Sequence, residues 1–216
     1  LITQQGEFAV QSPLLGHFNV ENLLASLVSA EQAGFDLAAL IAVVAQLKGA
    51  PGRMQVIRDA ERLFVVDYAH TPDALTQVLK TLKRHVAQNL WAVFGCGGDR
   101  DRGKRPLMPQ AALDGADVAL LTSDNPRTEN PEQIFADMKN GITFSTHLVH
   151  EIHDRREAIK FAVKNAQAGD IVVIAGKGHE NYQEVDGVRH WFDDVVEVQS
   201  AIDAQHHSTD SAYPAQ

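Results

Sequence analysis

Ala116-Asp117-Val118-Ala119-Leu120-Leu121-Thr122-Ser123-Asp124-Asn125-Pro126-Arg127-Thr128-Glu129-Asn130-Pro131 decides the fold of this chain. Its first part is a compact apolar run, residues 116–121, that reads as a buried strand. Pro131 opens an amphipathic helix, since proline is tolerated at the first helical position and not further in. Apolar strands without alternation are covered on both faces, as in mostly parallel sheets flanked by helices. The loop between strand and helix then lies at a carboxyl end of the sheet, where such folds bind ligands. It holds a carboxylate (Asp124), an amide (Asn125) and a guanidinium (Arg127) around Pro126, which fixes the backbone. An arginine fork pairs with a carboxylate, and a carboxylate pairs with an ammonium. The loop therefore reads as a site for a zwitterionic amino acid.

The same alternation extends in both directions. Upstream, residues 54–58 and 63–68 predict two strands joined as a hairpin at Asp59-Ala60-Glu61. Thr71 and Pro72 start a helix whose core face is Leu75, Val78, Leu79, Leu82 and Val86. A strand at 90–94, a glycine-rich loop and a helix to about Gly115 lead to the opening stretch. Downstream come a strand near 147–150 and a helix using Ala158, Ile159, Ala162, Val163 and Ala166. Asp170 opens a strand at 171–175, residues 182–191 form a hairpin turning at Asp186-Gly187, and a final helix starts at Asp193. The fold class is α/β, a mostly parallel sheet with helices on both faces.

Before residue 49 the pattern differs. Phe8-Ala9-Val10 is strand-like. A helix from Asn19 places Val20, Leu23, Leu24, Leu27 and Val28 on one face, Gly34 ends it, and Asp36 caps a second through about Gln46. These elements are too few for a core of their own and read as a fragment of a second α/β domain. Gly49-Ala50-Pro51-Gly52 is the linker. The expected organisation is residues 1–48 as the end of a preceding domain, 49–203 as a complete domain, and 204–216 as a disordered tail.

Bulk properties exclude several classes. Of the 216 residues, 44% are hydrophobic and 22% charged, ordinary for a globular protein. A formal net charge of −9 argues against a nucleic-acid partner, which calls for a basic face. Cys96 is the only cysteine, so no intrachain disulfide forms and a reducing, cytoplasmic setting fits. No apolar run reaches a membrane span, and the N-terminus has no signal-peptide pattern. It also has no initiator methionine, and the chain reads as part of a longer protein.

Three further loops follow strands. Gly98 to Lys104 matches the spacing of a phosphate-binding loop, but Arg105 stands where Ser or Thr must hold Mg²⁺, and Asp99 and Asp101 would repel phosphate. Gly95-Cys96-Gly97 begins a dinucleotide fingerprint, but Arg100 takes the third glycine's place. Two readings remain there: a turn presenting Arg100, or a solvated charged turn. Asp67, before His70 and the helix at Pro72, reads first as a cap of its turn; its alternative is a ribose contact, with phosphate at the helix N-terminus. Gly176-Lys177-Gly178-His179-Glu180 offers both charge signs and glycines that let a ligand approach the backbone. No pair of histidines has zinc spacing, and no metal ligand set or catalytic nucleophile is assigned. Arg100 and Arg127 with Asp124 and Glu180 would match a ligand carrying two carboxylates and two amines.

Asp124-Asn125-Pro126-Arg127 resembles the signature of the diaminopimelate-adding Mur ligases. Further stretches agree in order and spacing: 16–25 (Gly-His-Phe-Asn-Val-Glu-Asn-Leu-Leu-Ala), Gly52-Arg53-Met54, 67–75 (Asp-Tyr-Ala-His-Thr-Pro-Asp-Ala-Leu), the 95–106 loop, and 176–180 with Tyr182-Gln183. Gln55 departs from the acidic residue that usually follows Arg-Met. The resemblance covers the chain to about residue 203. It implies a Rossmann-like amino-acid-binding domain at 49–203, preceded by the end of a central ATPase domain. It also implies that Arg100, Asp124, Asn125, Pro126, Arg127, Gly176 and Glu180 bind meso-diaminopimelate. Asn22, Arg53, Asp67 and His70 fall where the family contacts ATP. Lysine-adding relatives have another residue in place of the motif's arginine, so Arg127 favours diaminopimelate.

The implied reaction is ATP- and Mg²⁺-dependent amide formation with UDP-N-acetylmuramoyl-L-alanyl-D-glutamate, through an acyl phosphate, in peptidoglycan precursor synthesis. The family's phosphate-binding loop, carbamylated lysine and UDP-sugar domain have no counterpart here; they belong to N-terminal domains that would be this chain's partners. Two rival readings remain at this point. One is a free-standing dinucleotide domain of an oxidoreductase, which would carry the full glycine fingerprint. The other is a non-catalytic amino-acid-binding module.

Overall fold

The computed structural model describes residues 1–3, 6–140, 142 and 148–210, with the backbone alone at 208–210. Its contacts divide the chain into two units, Leu1–Ala50 and Pro51–Gln216.

The first unit contains β1 (Ile2–Thr3), β2 (Gly6–Glu7), α1 (His17–Gln32) and α2 (Leu37–Val44). The strand expected at 8–10 is not formed. The antiparallel pair β1–β2 is instead continued one step by hydrogen bonds from Phe8 N–H to the Leu1 carbonyl (2.8 Å) and from the Leu1 amine to the Phe8 carbonyl (3.0 Å). Asp36 caps α2 as expected, accepting from Ala39 N–H at 2.8 Å. Of the apolar stripe on α1, Leu23 and Leu27 are buried with Val44, while Val20, Leu24 and Val28 are exposed. Elements this short cannot cover a whole helical stripe.

The second unit contains β3 (Gln55–Asp59), β4 (Arg62–Asp67), α3 (Pro72–Leu82), β5 (Leu90–Phe94), α4 (Leu107–Gly115), β6 (Val118–Leu121) and α5 (Pro131–Lys139). It continues with β7 (Leu148–Glu151), α6 (Arg155–Asn165), β8 (Ile171–Ala175), β9 (Tyr182–Val185), β10 (Val188–Trp191) and α7 (Asp194–Asp210). Six strands form one sheet in the order β3-β4-β8-β5-β6-β7, parallel except for β3, and β9 and β10 form a separate hairpin. The strand expected near 147–150 is β7; residue 147 lies outside the described residues.

Side-chain caps start α3, α5 and α6. Thr71, Asn130 and Asp154 cap α3, α5 and α6 by accepting from Ala74, Glu132 and Glu157 N–H groups. Alternation along the central strands builds the two faces. Phe64, Val66, Trp91, Val93, Val172 and Ile174 pack against Ala158, Ile159 and Val163 of α6 and Val198 and Ile202 of α7. The opposite face, with buried Val65, Ala92 and Val173, is covered by α3 and α4.

Register brings Asp67 beside Ala175 and Phe94 beside Leu121, so the loops leaving β4, β8, β5 and β6 share one edge. Because β8 returns from the far edge to lie between β4 and β5, its loop enters among the others.

The disordered tail expected from residue 204 is corrected in part. α7 continues to Asp210, and 211–216 lie outside the described residues. Side chains anchor this end. Arg62 on β4 donates to Gln205 Oε1 at 3.1 Å and pairs with Asp59, which also meets His206 at 3.0 Å. A polar, histidine-rich stretch gives no local sign of partners on a strand so far upstream.

At the opposite edge of the sheet, Asp170 does more than open β8. It is 1% exposed. Its Oδ1 accepts from Asn89 N–H at 2.9 Å, and its Oδ2 accepts from Trp91 Nε1–H at 3.0 Å and Gln167 N–H at 2.9 Å. Asp170→Ala strands these donors. The expected outcome is a loss on the order of 3 kcal/mol, read as a lower urea midpoint with an unchanged slope.

Candidate functional site

The loops at the carboxyl edge enclose a cavity of about 330 Å³. Arg100, Lys104, Arg105 and Arg127 bring positive charge to it; Asp101, Asp124 and Glu180 bring negative charge; Tyr68, Met108 and Tyr182 supply apolar surface.

The loop after β6 forms one wall. Asp124 and Asn125 are buried. Asn125 Oδ1 accepts from Lys177 Nζ at 2.8 Å and from Glu184 N–H at 3.0 Å, while its Nδ2 donates to Glu180 Oε2 at 3.0 Å. The Asp124 carbonyl accepts from Gln183 Nε2 at 2.7 Å, but its carboxylate Oδ1, although buried, has no hydrogen-bond donor from the protein. Arg127 has left-handed backbone geometry, φ 53°. Its N–H donates to the Glu184 carbonyl at 3.0 Å and its carbonyl accepts from Asp186 N–H at 2.7 Å, so the β9–β10 hairpin holds it. Pro126 is buried beneath this loop, its carbonyl accepting from Glu129 N–H at 3.1 Å.

The loop after β5 lies directly on this wall. Gly98 N–H donates to the Asn125 carbonyl at 2.9 Å, and Arg127 Nη1 donates to the Gly98 carbonyl at 2.7 Å. A Cβ on Gly98 would overlap the Pro126 carbonyl oxygen, so only glycine permits this approach. The glycine-rich stretch therefore serves loop-on-loop packing. Asp99, which discouraged a phosphate reading, is a staple: its carboxylate accepts from Thr128 Oγ1 at 2.9 Å and from Thr128 N–H at 3.1 Å. Asp101 caps a short 3-10 turn, Arg102–Lys104, accepting from Gly103 N–H at 2.9 Å. Arg100 is exposed at the cavity, with Nη1 on the Asp99 carbonyl at 3.0 Å.

Arg105 is the residue that sequence reasoning missed. It is 1% exposed and spans both loops, meeting Glu129 and Asp137 at 2.8 Å each and the Gly97 carbonyl at 3.4 Å. The Arg105 hydrogen bond holds the Glu129 carboxyl well below its usual range, down to about 2. In sequence Arg105 was legible only as a departure from a phosphate-loop pattern.

The loop after β8 closes the cavity. Gly176 has φ 120°, and a Cβ there would stand 3.1 Å from Asp124 Oδ2. Lys177 has no solvent exposure, and burial lowers its pKa against the opposing pull of Asp124. Cys96 borders the cavity, but burial first, and then Asp124, push its thiol up to about 12. It stays protonated at neutral pH and supplies no thiolate nucleophile.

Arg100, Asp124, Asn125, Arg127, Gly176, Glu180 and His70 all line the cavity. The other residues expected at ATP do not. Asp67 is buried; its Oδ2 accepts from Met54 N–H and its Oδ1 from Ala69 N–H, both at 2.8 Å. That is the turn-capping role its own residues suggested. Arg53 lies 4.6 Å from the Tyr68 ring centroid, and His70 Nδ1 is 2.8 Å from the Tyr68 carbonyl. Gln55, the departure from the family pattern, accepts from Gly52 N–H at 2.8 Å. Asn22 stands on α1 in the first unit, exposed. Among the described residues, no group of three His, Cys, Asp or Glu is arranged to hold a metal ion, and no helix is long and apolar enough to cross a membrane.

A family model described as the Mur ligase, glutamate ligase domain, matches residues 52–178. The chain belongs to the Mur ligase family. A curated relative from Ectopseudomonas mendocina, named UDP-N-acetylmuramoyl-L-alanyl-D-glutamate–2,6-diaminopimelate ligase, is 48% identical over 205 residues, covering 94% of this chain and 42% of the relative. A solved structure of a ligase of that name is 82% identical, with a TM-score of 0.76 over 95% of this chain and 42% of that one. A UDP-N-acetylmuramate-alanine ligase from Thermotoga maritima, 18% identical with a TM-score of 0.63 over 94% of this chain and 41% of its own, shares the fold. The chain thus spans about two fifths of the relatives it matches. Membership of this family removes the reading as an oxidoreductase domain.

Acid should loosen the stapled loops of this Mur ligase chain. A carboxyl depressed by folding adds stability above its unfolded pKa, and that stability is lost as pH falls through the folded value. For Glu129 the window runs from 4.5 down to about 2. Glu129→Gln is expected to shrink the loss of stability across that window, measured by urea titrations at successive pH values.

Proposed function

We propose that this chain is the amino-acid-binding part of an ATP-dependent ligase. The enzyme would join meso-2,6-diaminopimelate to UDP-N-acetylmuramoyl-L-alanyl-D-glutamate in peptidoglycan precursor synthesis, in the cytoplasm. One observation carries the reading: a single cavity receives Arg100 and Arg127 together with Asp124 and Glu180. Two guanidinium forks and two carboxylates complement two carboxylates and two ammonium groups. The names of the relatives at 48% and 82% identity support the same ligand.

In this reading Arg127 takes the carboxylate that distinguishes diaminopimelate from lysine. The Gly98 carbonyl and the β9–β10 hairpin hold it in place beforehand. Asp124, at the cavity wall, takes one of the ammonium groups through its carboxylate. Arg100, exposed at the rim, takes the second carboxylate. Fixing the ends of the amino acid presents its free amine to the activated carboxyl of the nucleotide substrate, so the chain contributes orientation.

ATP supplies the phosphoryl group that activates that carboxyl. On this chain Arg53 and His70, beside Tyr68, have the charge and aromatic surface to face a nucleotide, and Asn22 offers an exposed amide. Asp67, with each oxygen already on a backbone N–H, acts by holding that turn. No residue here is assigned to Mg²⁺. The N-terminal domains of the same enzyme are the partners that would supply the phosphate-binding loop.

Arg127→Ala in the enzyme carrying this chain is expected to weaken diaminopimelate about ten- to a hundredfold and to abolish its preference over lysine. Competition kinetics with the two amino acids measure this, and a retained preference refutes the assignment. Residues 1–216 by themselves are expected to give no ATP-dependent amide product in a phosphate-release and mass-spectrometric assay, because the Gly98–Lys104 stretch is occupied in loop packing.

A further inference from the structure

Lys177 does not line the cavity and has no solvent exposure, yet its ammonium lies directly behind the two carboxylates that face the ligand. Its Nζ donates to Asn125 Oδ1 at 2.8 Å and stands 3.6 Å from Asp124 Oδ1 and 3.8 Å from Glu180 Oε2. Burying an ammonium is unfavourable unless anions face it, and an apolar side chain would fill a plain packing position at less cost. The placement therefore points to the cavity.

The amide of Asn125 shows how the charge acts. Its oxygen faces two donors, Lys177 Nζ and Glu184 N–H. A flipped amide would turn its NH₂ group toward both, losing two hydrogen bonds and setting donor against donor. With the oxygen so held, Nδ2 can only face Glu180 Oε2, at 3.0 Å. Lys177 thus fixes Asn125, and Asn125 fixes Glu180. The same ammonium stands 3.6 Å from Asp124 Oδ1, near enough to hold that carboxylate by charge and too far to donate a hydrogen bond to it.

We propose that Lys177 is the positioning residue of the diaminopimelate cavity: from behind the wall it orients Asn125 and aims the carboxylates of Asp124 and Glu180 at the ligand's ammonium groups. This rests on the diaminopimelate reading above. It assigns Lys177 to affinity for one substrate and to no step of the chemistry.

The test uses the full-length enzyme with Lys177→Met, which keeps the length and removes charge and donors, and Lys177→Gln, which keeps a donor for Asn125 and removes the charge. In Lys177→Met the KM for meso-diaminopimelate is expected to rise about ten- to a hundredfold. The KM values for ATP and for the UDP-linked substrate should stay within about twofold, since Lys177 reaches Asn125, Asp124 and Glu180, the residues assigned to diaminopimelate. Lys177→Gln should recover part of the loss, which a role in packing alone would not produce. An unchanged KM for diaminopimelate, parallel changes for all three substrates, or failure of both variants to fold would each overturn the proposal. The wild-type arm separates the two readings. If the wild type does not use meso-diaminopimelate, both fall; if it does and Lys177→Met behaves like it, only the role of Lys177 falls.

Discussion

One buried ion pair holds the carboxyl edge of this sheet together. Arg155, the first residue of α6, and Asp194, the first of α7, are both without solvent exposure and meet through Nε–Oδ1 and Nη2–Oδ2 contacts of 2.8 Å each. The remaining donors of the same guanidinium reach the Ala175 carbonyl at 3.0 Å and the Ser123 carbonyl at 3.4 Å. Those carbonyls stand where the chain leaves β8 and β6, immediately before Gly176 and Asp124. A planar fork with fixed donor directions thus sets the spacing of the two loops that form the cavity wall. Leaving either ion alone in that interior would cost about 3–5 kcal/mol, so the pair is a constraint on the fold as well as on the site.

Above that anchor the loops are joined by polar contacts instead of apolar packing. Arg105 with Glu129 and Asp137, Asp99 with Thr128, and Asn125 with Lys177 and Glu180 form successive ties between neighbouring loops. The arrangement follows from what the cavity must offer. A wall that presents charged groups to a charged ligand has polar atoms on its hidden side too, and each of those atoms needs a partner when water is excluded. Asp124 Oδ1 is an exception: it is buried without a hydrogen bond, with Lys177 Nζ 3.6 Å away.

The sheet was legible because burial on both faces leaves a simple mark: runs such as Leu90–Phe94 and Ile171–Ala175 carry no polar residue. The caps at Thr71 and Asp36 were equally readable, since a capping oxygen acts within three residues of itself. Asp67 belongs with them through its bond to Ala69 N–H, while its partner Met54 lies farther off in sequence. Arg105, Arg155 and Lys177 were not readable as buried. Long charged side chains in loops or at helix starts are usually solvated, and their partners lie on other elements at distances in sequence that no local pattern spans. The helical course of α7 to Asp210 was missed for the same reason, its anchors Asp59 and Arg62 being on β3 and β4. The loops themselves offered Arg100, Arg127, Asp124 and Glu180 at one edge; resemblance to the Mur ligases added the expected ligand and the candidate ATP contacts Asn22 and Arg53.

The direction of the Arg127 side chain is set by more than one loop. A non-glycine residue at φ 53° costs about 1–2 kcal/mol in backbone strain, and arginine has no local compensation for it. What holds it is the pair of backbone hydrogen bonds to Glu184 and Asp186, which adds Arg127 to the hairpin in a parallel bridge with Val185. In that geometry the side chain turns back across the loop, and Gly98 receives it. The direction of the guanidinium is therefore fixed jointly by a hairpin downstream and a glycine-rich loop upstream. With the hairpin and Gly98 unchanged, another residue at position 127 would keep the strained backbone and lose the contact with the Gly98 carbonyl. On the proposed reading, discrimination between amino acids with and without a second carboxylate would rest on three loops at one sheet edge, with the arginine as the point where they would meet the ligand.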